Sequence, residues 1–450
     1  MKTWLLTSYL LLANGVWLTP ASSVFAQPPS SATPTVKLKP LMREFMGING
    51  HTVQFKPELY AQTCRLVRDY HPLEWDTGSE TDYVLDFPFA RNRVNWEQVY
   101  GSWKQAGLTT DACIMFETHA PTAWRDMAAD TNRYGRLFAQ HFGPSSPLSL
   151  VQSVEVGNEP GKYSDAEYRT AFENMARGFR EGDAKLTIAT CNVNVGTSGD
   201  YHKSVQCVAG LEALYDVLNV HTYAMLEQWP TWKRSFPEDS RLPSYWKDVD
   251  NLIKWRNAHA PDKEVWVTEF GWDASTRSPE PTGDFAKWQG NSELEQAQWL
   301  VRAFLLFAAR DVDRAYLYFF NDDDQPQLHG SSGLTRRFEP KPSFYAVAHL
   351  FQTLGDYRFS KVVEALPSAV MVYEFVRGDD PHDVVWVAWS PKGEERIERV
   401  ELQLGSKQLL SINRMPTAAG IAPSVESVSN DSGLRLDISE SPTYLHLRVP

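Results

Sequence analysis

Short apolar runs alternate with longer amphipathic stretches along residues 41–356 of the chain. Stretches 95–107, 164–181, 242–260 and 292–310 repeat their apolar positions with the period of a helix that buries one face. Eight runs have the length and composition of buried strands: residues 45–49, 66–70, 112–117, 151–156, 186–193, 217–221, 265–270 and 315–320. Strands that alternate with helices predict a parallel sheet, and eight such strands can close it into a (β/α)8 barrel.

The pattern changes after residue 356. Apolar runs at 370–375, 384–389, 400–404 and 443–449 are rich in β-branched and aromatic residues, and Gly, Pro, Asp and Asn separate them. This spacing is typical of a small antiparallel β-sandwich. We therefore predict an α/β chain with a (β/α)8 TIM barrel over residues 41–355 and a β-sandwich accessory domain over residues 356–450.

The first 26 residues have the features of a signal peptide. Lys2 provides a positive charge, a mostly apolar run follows over residues 4–18, and Val24 and Ala26 fit cleavage after Ala26. The run is shorter than the roughly 20 apolar residues that span a membrane, and no later segment is long and apolar enough. Residues 27–40 are rich in Pro, Ser and Thr and are predicted to be a linker. We expect a secreted or periplasmic protein without a membrane span.

Composition narrows the range of partners. Acidic residues outnumber basic ones by 56 to 44, which gives a formal charge of −12 with no basic stripe to offset it. Nucleic acid is therefore not expected as a partner, and neither is an anionic membrane surface. The 16 tryptophans fit two interpretations that do not exclude each other, which are core packing and stacking against sugar rings.

The four cysteines are too few for a disulfide scaffold, and they form no zinc-binding pair. Cys191 and Cys207 are close enough in sequence to close one loop in an oxidising compartment. Cys64 and Cys113 lie in apolar surroundings and are predicted to be buried free thiols. The chain has no Gly-x-Ser-x-Gly motif and no phosphate-binding loop, so we expect neither a cofactor nor a metal.

Two segments combine an apolar strand with a glutamate at its end. Residues 154–160 read VEVGNEP, so Glu159 follows a strand that the proline cannot continue. Residues 265–272 read VWVTEFGW, so Glu269 ends another strand. These are the fourth and seventh runs, whose carboxyl-terminal ends lie across the mouth of a barrel, where the active sites of such barrels are found. Two carboxylates that face each other are what glycoside hydrolysis requires.

The sequences Asn-Glu-Pro at 158–160 and Thr-Glu-Phe-Gly-Trp at 268–272 resemble clan A glycoside hydrolases, a superfamily of retaining (β/α)8 enzymes. The resemblance covers residues 41–354 and is greatest with the xylosidase/iduronidase-like and cellulase-like groups. It implies that Glu159 is the acid/base, that Glu269 is the nucleophile and that Asn158 hydrogen-bonds the sugar 2-hydroxyl.

The resemblance implies further contacts around the nucleophile. Residues 219–223, NVHTY, are similar to the family's His-x-Tyr segment, in which Tyr223 would donate to the nucleophile and His221 would line the same pocket. Arg68, near the end of strand two, matches an arginine that keeps the nucleophile ionised. The chain departs from the pattern at strand eight, where residues 319–320 are both Phe and many clan members have a tryptophan.

Other residues on the same rim of the barrel have two interpretations each. His51, after strand one, and His119, after strand three, would either bind sugar hydroxyls or have structural partners. Four tryptophans in these loops would either stack against a sugar or pack in the core: Trp124, Trp229, Trp232 and Trp272, of which we expect Trp272 to contact substrate. The acidic run Asp322-Asp323-Asp324 is interpreted as a solvated loop, with calcium or substrate binding as the alternative.

These observations predict an exported retaining glycoside hydrolase that acts on an oligo- or polysaccharide by double displacement. Two alternatives use the same residues. The first is a non-catalytic carbohydrate-binding protein on the same barrel, and the second is a transglycosylase, which excludes water. Convergence of Arg68, Asn158, Tyr223 and both glutamates in one open pocket would disfavour the binding protein.

Overall fold

The computed structural model describes residues 37–51, 56–365, 370–393, 395–430 and 433–450. The predicted signal peptide at 1–26 and residues 27–36 of the predicted linker lie outside the described residues. In the described part, a closed parallel barrel with helices is followed by antiparallel sheets. The predicted fold class is therefore confirmed.

Eight parallel strands form the barrel, and they are called barrel strands one to eight in chain order. They are Met46–Gly50, Leu66–Pro72, Thr109–Met115, Val151–Val156, Thr187–Asn194, Val217–His221, Glu264–Phe270 and Arg314–Leu317. Strand eight pairs with strand one and closes the barrel. A two-residue strand, Lys203–Ser204, pairs with the end of strand five.

Helices connect most of these strands. They are Met42–Phe45, Pro57–Thr63, Leu73–Thr77, Trp96–Gln105, Met127–Phe142, Asp165–Gly182, Tyr245–His259, Glu293–Ala309 and Pro342–Leu354, and the short 3₁₀ turns are Phe116–Thr118, Pro121–Ala123 and Val205–Cys207. All four predicted helices are present. Among the described residues, the connection from strand five to strand six contains the two-residue strand and a 3₁₀ turn but no α-helix.

The helix Met127–Phe142 was not predicted, because its buried face is interrupted by polar and small residues. Asp130 and Gly135 are both buried on it. Gly135 lies against the neighbouring helix Asp165–Gly182, where an added Cβ would come within 2.4 Å of the Met175 carbonyl oxygen. The two helices therefore pack backbone to backbone, a contact that an apolar periodicity does not indicate.

Two predicted strand ends are wrong. The third run was placed at 112–117, but its strand is Thr109–Met115, because Phe116–Thr118 turns into a 3₁₀ helix. The eighth run was placed at 315–320, but its strand ends at Leu317. Beyond it the Tyr318–Phe319 peptide is cis and the chain leaves the sheet.

The barrel interior changes from apolar to polar along the strands. Deep inside lies an apolar cluster of Leu66, Ala189, Val217, Trp266 and Tyr316. Arg68, Asn219 and Thr268 come two positions later on three of the same strands and are fully buried. Alternate residues share one face of a strand, so a polar layer lies on top of the apolar one. The two layers of side chains therefore fill the barrel beneath its carboxyl-terminal mouth.

Eight further strands form two antiparallel sheets. The five-stranded sheet is ordered Tyr357–Ala365, Met371–Arg377, Asp383–Trp389, Thr443–Arg448 and Gln408–Arg414, and the three-stranded sheet is ordered Glu398–Leu402, Gly433–Ile438 and Ser427–Asn430. Four of the eight strands were not predicted. Gln408–Arg414 is one of them, and most of its residues are partly or fully exposed, so it lacks the apolar run of a buried strand.

The five-stranded sheet buries both of its faces. On one face Val372, Trp386 and Leu445 share an apolar cluster with Leu436 of the three-stranded sheet, which makes a sandwich. On the other face, alternate residues such as Tyr373, Val385 and Tyr444 belong to the core of the barrel. The predicted boundary at 355–356 lies between the helix Pro342–Leu354 and the strand Tyr357–Ala365.

A buried ion network joins the same two parts. Arg302, on the helix Glu293–Ala309, donates to Glu238 and lies 3.5 Å from a carboxylate oxygen of Glu440. Trp389, from the five-stranded sheet, donates to Glu238 over 2.6 Å.

All four cysteines are buried and unpaired, so the possible pairing of Cys191 with Cys207 is not present. In the described ranges, no helix has the length and apolar character needed to cross a membrane.

Candidate active site

Glu269 lies at the end of barrel strand seven and is held by three donors. Tyr70 donates to its Oε1 over 2.6 Å, and Arg68 donates to the same oxygen over 3.2 Å. Tyr223 donates to Oε2 over 2.7 Å. The strand pairing is irregular between Val267 and Phe270, so Thr268 and Glu269 both turn inward although they are consecutive. Irregularities of this kind redirect single side chains next to active sites.

These contacts keep Glu269 ionised. Burial by itself would raise the pKa of this carboxyl, but His221, Arg68 and the hydrogen bonds from Tyr70 and Tyr223 outweigh burial and lower the pKa well below its usual range. Burial and the charge of Glu269 raise the pKa of both tyrosines well above 10.0. Both tyrosines therefore keep their protons and remain donors.

Arg68 is fully buried and fixed on all sides. Its Nε and Nη2 form a two-pronged ion pair with Glu155, at 2.8 and 2.7 Å. It also donates to the side-chain oxygens of Asn49 and Asn158, both at 2.8 Å. A planar guanidinium with this many partners has one orientation. The buried arginine thus links Asn158, after strand four, to Glu269 on strand seven.

Glu159 faces Glu269 from the end of strand four. His221 Nδ1 is 2.8 Å from Glu159 Oε1 and 3.6 Å from Glu269 Oε2. One carboxylate oxygen of each glutamate and a ring nitrogen of His221 all lie within 4.8 Å of one another. The side chain of Glu159 is 26% exposed and that of Glu269 is 8% exposed, so Glu159 is the more accessible to solvent.

The spacing of Glu159, His221 and Glu269 would also suit a metal ion. Glu269, however, already accepts three hydrogen bonds, one of them from the positive charge of Arg68. A cation at this point would face that charge across a buried contact, which disfavours it. The donor set thus fits an ionised carboxylate better than a metal centre.

Aromatic rings form the wall next to Glu269. His51 stacks on Tyr70 at 5.2 Å and meets the edge of Phe319 at the same distance. Its Nδ1 is buried without a hydrogen-bond partner among the described residues. Tyr318 contacts His51 and also His329, at ring distances of 6.4 and 5.4 Å. The residues after strand eight therefore line the pocket with tyrosine and phenylalanine instead of tryptophan.

The two histidines in this wall are neutral at neutral pH. Burial and the nearby Arg68 lower the pKa of His51 to about 4, against an opposing effect of Glu269. Burial and the charge of Arg234 lower the pKa of His329 to about 4. Arg234 itself lies over the Tyr223 ring at 4.6 Å. A neutral imidazole both donates and accepts hydrogen bonds, which suits hydroxyl groups.

Most of the predicted site residues come together here: Arg68, Asn158, Glu159, His221, Tyr223, Glu269 and His51. His119 and Trp272 do not join them. The ring of His119 is hydrogen-bonded to Thr77 over 2.9 Å, and Trp272 is fully buried with its indole N–H on the Ser235 carbonyl oxygen. Their burial and their hydrogen-bond partners fit the structural interpretation of both residues.

The solvated-loop interpretation of residues 322–324 is wrong for two of the three aspartates. Asp322 is buried and accepts from Lys341 over 3.1 Å, and Asp324 is buried and accepts from Ser275 and Thr276. Their charges are balanced inside the fold. Neither a solvated loop nor a free calcium-binding run describes them.

Sequence reasoning missed two residues that touch the key groups. Tyr70 follows Arg68 by two positions on strand two, so the alternation of the strand places both on one face. Glu117 Oε1 accepts hydrogen bonds from the backbone N–H groups of Asn158 and Glu159, at 2.7 and 3.1 Å. The position of Glu117 at the end of strand three could have indicated that it lies on the rim of the barrel.

Comparisons with known proteins agree with this fold. No family model and no curated protein matches the chain. Among solved structures, a family 39 glycoside hydrolase from the gut symbiont Bacteroides cellulosilyticus WH2 matches with a TM-score of 0.66 at 18% identity, over 90% of this chain and 80% of that one. A GH30 endoxylanase from Clostridium papyrosolvens C71 matches with a TM-score of 0.56 at 13% identity, over 92% and 98%.

A family 51 α-L-arabinofuranosidase from Bifidobacterium longum matches with a TM-score of 0.57 at 11% identity, over 94% of this chain and 98% of that one. At these identities the likeness is one of fold. The chain therefore has the barrel fold of clan A glycoside hydrolases across about 90% of its length. The resemblance drawn from the strand-end motifs is confirmed at that level.

Proposed function

We propose that the protein is a retaining glycoside hydrolase in which Glu269 is the nucleophile and Glu159 is the acid/base. The observation that supports this most is the pairing of the two carboxylates. One oxygen of each lies within 4.8 Å of the other, close to the roughly 5 Å typical of retaining enzymes. Inverting enzymes keep a wider gap, since a water molecule must fit between substrate and base.

The environments of the two glutamates support this division of roles. Glu269 is held as an anion by Arg68, Tyr70 and Tyr223, as a nucleophile must be. Glu159 makes one contact with His221 and is the more exposed of the two. It is therefore free to reach the oxygen of a departing group.

The proposed reaction has two steps. In the first, Glu269 attacks the anomeric carbon while Glu159 gives its proton to the glycosidic oxygen, which leaves with the bonding electrons. In the second, Glu159 takes a proton from water, and the hydroxide attacks the same carbon and releases Glu269. Each step inverts the anomeric centre, so the product retains its configuration. Asn158, fixed by Arg68, would bind the hydroxyl next to the reacting carbon.

The convergence of the polar groups disfavours a barrel that binds sugars without cleaving them. Arg68 is buried between two carboxylates, Glu155 and Glu269, and its partners leave it no other orientation. A buried charge network of this kind costs desolvation energy and gives little stability in return. A network of this kind is expected where the charge on Glu269 is used in a reaction.

The test is a screen of the purified protein against aryl glycosides and polysaccharides. The panel starts with xylans, glucosides and arabinofuranosides, because the solved structures with this fold carry those names. We expect turnover on at least one sugar, and a loss of roughly 10⁴-fold or more in kcat for Glu269→Ala. Full activity of that variant would contradict the assignment of the nucleophile.

A second variant separates the roles of the two glutamates. Glu159→Ala should slow substrates with poor leaving groups far more than aryl glycosides with good ones, because good leaving groups need little protonation. Equal loss on both substrates would contradict the acid/base role. Product analysis by NMR, with sugar acceptors present and absent, separates hydrolysis from transglycosylation and reads the anomeric configuration directly.

We also propose that the protein is exported and cleaved after Ala26. Support comes from the charged start, the apolar run and the small residues that precede position 27. The test is the mass and amino-terminal sequence of the protein recovered outside the cytoplasm. A mature chain that begins at Gln27 is expected, and an uncleaved chain kept in the cytoplasm would contradict the proposal.

A further inference from the structure

Glu117 stands apart from the proposed chemistry, although it contacts the residues that carry it. It lies in the 3₁₀ turn Phe116–Thr118, directly after barrel strand three. Its Oε1 accepts hydrogen bonds from two consecutive amides, Asn158 N at 2.7 Å and Glu159 N at 3.1 Å. Its Oε2 is buried and has no hydrogen-bond partner among the described residues.

The chain at this point has left the sheet, and its amides need other partners. Barrel strand four ends at Val156, and Gly157 turns the backbone with a φ of +86°. A Cβ on Gly157 would meet the Phe116 ring at 2.8 Å and Glu117 Oε2 at 3.4 Å, so the turn is packed against strand three. Buried N–H groups without acceptors cost free energy, and Glu117 satisfies two of them with one oxygen.

We propose that Glu117 is a positioning residue for the acid/base: its Oε1 fixes the backbone of Asn158 and Glu159. The proposal rests on the function proposed above. The two amides belong to the residue that would hold the sugar and the residue that would donate the proton. A shift of this turn would therefore move both side chains together.

The side chains around Glu117 are mostly uncharged near pH 7. Besides Glu159, the titratable side chains that face it are Cys113, Tyr163 and Cys191. Burial raises the pKa of these two thiols and of the Tyr163 phenol, so all three are neutral near pH 7. Burial also raises the pKa of Glu117 to about 7, with Glu159 adding to it and the two amides opposing it.

Two variants test the positioning role. Glu117→Gln keeps an acceptor oxygen for the two amides and should retain most of the wild-type kcat. Glu117→Ala removes the acceptor, and its kcat should fall about 100-fold, because the turn that carries Asn158 and Glu159 is no longer fixed.

The matched control is Glu374→Gln. Glu374 is a buried glutamate in the five-stranded sheet that accepts from Trp386 over 3.0 Å, far along the chain from the barrel rim. Its replacement should lower stability and leave kcat unchanged. A Glu117→Ala enzyme of wild-type kcat would overturn the proposal, and so would a Glu117→Gln enzyme that loses as much kcat as Glu117→Ala.

Hydrogen exchange gives a readout that needs no turnover. In Glu117→Ala, a peptide covering residues 157–163 should exchange faster than in the wild type, while a peptide covering the strand Met371–Arg377 should not change. Unchanged exchange at 157–163 would overturn the positioning role even if no substrate were found. A wild-type protein that cleaves no glycoside, with faster exchange at 157–163 in the variant, would instead contradict only the proposed function.

Discussion

At the scale of single residues, the charge of Glu269 depends on donors of two kinds. Arg68 supplies a full positive charge, and it is locked by Glu155 below it. Tyr70 and Tyr223 supply neutral hydrogen bonds, one to each carboxylate oxygen. The neutral donors matter because a hydrogen bond to a charged group contributes about 1.5–3 kcal/mol.

We expect Tyr70→Phe to lower kcat by roughly 10- to 100-fold, because the variant loses a donor to the nucleophile and to the leaving carboxylate of the second step. Tyr223→Phe should give a loss of similar size, since it removes the matching bond on the other oxygen. The control is Tyr100→Phe, which removes a buried donor to Asp69 outside the pocket. Steady-state kinetics and melting curves check this. Unchanged kcat in Tyr70→Phe would contradict it.

Single residues were predictable where they stand in a motif. Glu159 and Glu269 follow apolar strands, so their position on the barrel rim could be predicted from the sequence. Tyr70 was missed because it was counted as the last residue of a strand, not as a second side chain on the face of Arg68. Trp272 was misjudged because sequence position places a residue near the rim but does not tell whether its ring points inward or into the core.

At the scale of elements, the loop after barrel strand six is a hairpin. Ser235 N donates to the Ala224 carbonyl, and Met225 forms a bridge with Arg234, so the segment folds back on itself. Its base is Tyr223, a donor to Glu269. Its tip carries Trp229, which is 68% exposed. The hairpin thus connects the contact with Glu269 to an exposed aromatic ring.

The predicted sugar platform fits this tip. Trp229 is six positions after Tyr223, so it lies at most about 20 Å from it by chain reach. A cavity of about 150 Å³ separates the tip from the loop after strand seven, and its lining includes Pro230, Asp284 and Lys287. An apolar ring next to polar groups suits a sugar, which has an apolar face and hydroxyls at its edge.

We expect Trp229→Ala to raise KM for a long oligosaccharide by roughly three- to tenfold, the size of a lost aromatic contact, and to leave an aryl monoglycoside unaffected. Trp229→Phe should recover part of the loss. Leu410→Ala removes an exposed apolar side chain from the five-stranded sheet and serves as control. A Trp229→Ala enzyme with the wild-type KM for the long oligosaccharide would contradict the platform.

The elements show where periodicity succeeds and where it fails. Helices with a continuous apolar face were predicted, as the helix Asp165–Gly182 with its Ser164 cap illustrates. The helix Met127–Phe142 was not, because it packs through Gly135 and buries Asp130. The strand Gln408–Arg414 was not predicted either, because tertiary pairing at the edge of a sheet does not require an apolar run.

At the scale of the whole molecule, acid should weaken the fold through partly buried neutral histidines. His349 lies on the helix Pro342–Leu354 and meets the Tyr444 ring of the five-stranded sheet at 4.8 Å. Burial, and then the nearby His446, lower its pKa to about 4. The unfolded chain therefore binds more protons than the folded one between about pH 6.5 and pH 4. Stability rises with pH across this window and is lost as pH falls through it.

His349→Gln removes this titration from the contact between barrel and sheet. The free energy of unfolding of the variant should fall less steeply between pH 6.5 and pH 4 than that of the wild type, by on the order of 2–3 kcal/mol over the window. Denaturant melts at several pH values measure this. Identical slopes for the two proteins would contradict the prediction. His446→Gln should reduce the slope in the same direction, because burial also lowers the pKa of His446.

Because both faces of the five-stranded sheet are buried, the barrel and the sheets cannot simply be exchanged with those of other proteins. A fragment that stops near residue 355 would leave the barrel side of the contact, including Phe351 and Leu354, uncovered, while a free sheet would expose Tyr373 and Val385. The two parts are therefore not interchangeable modules, although the chain changes its pattern between them. Chimeras that exchange only one part should need a compensating surface designed on the other.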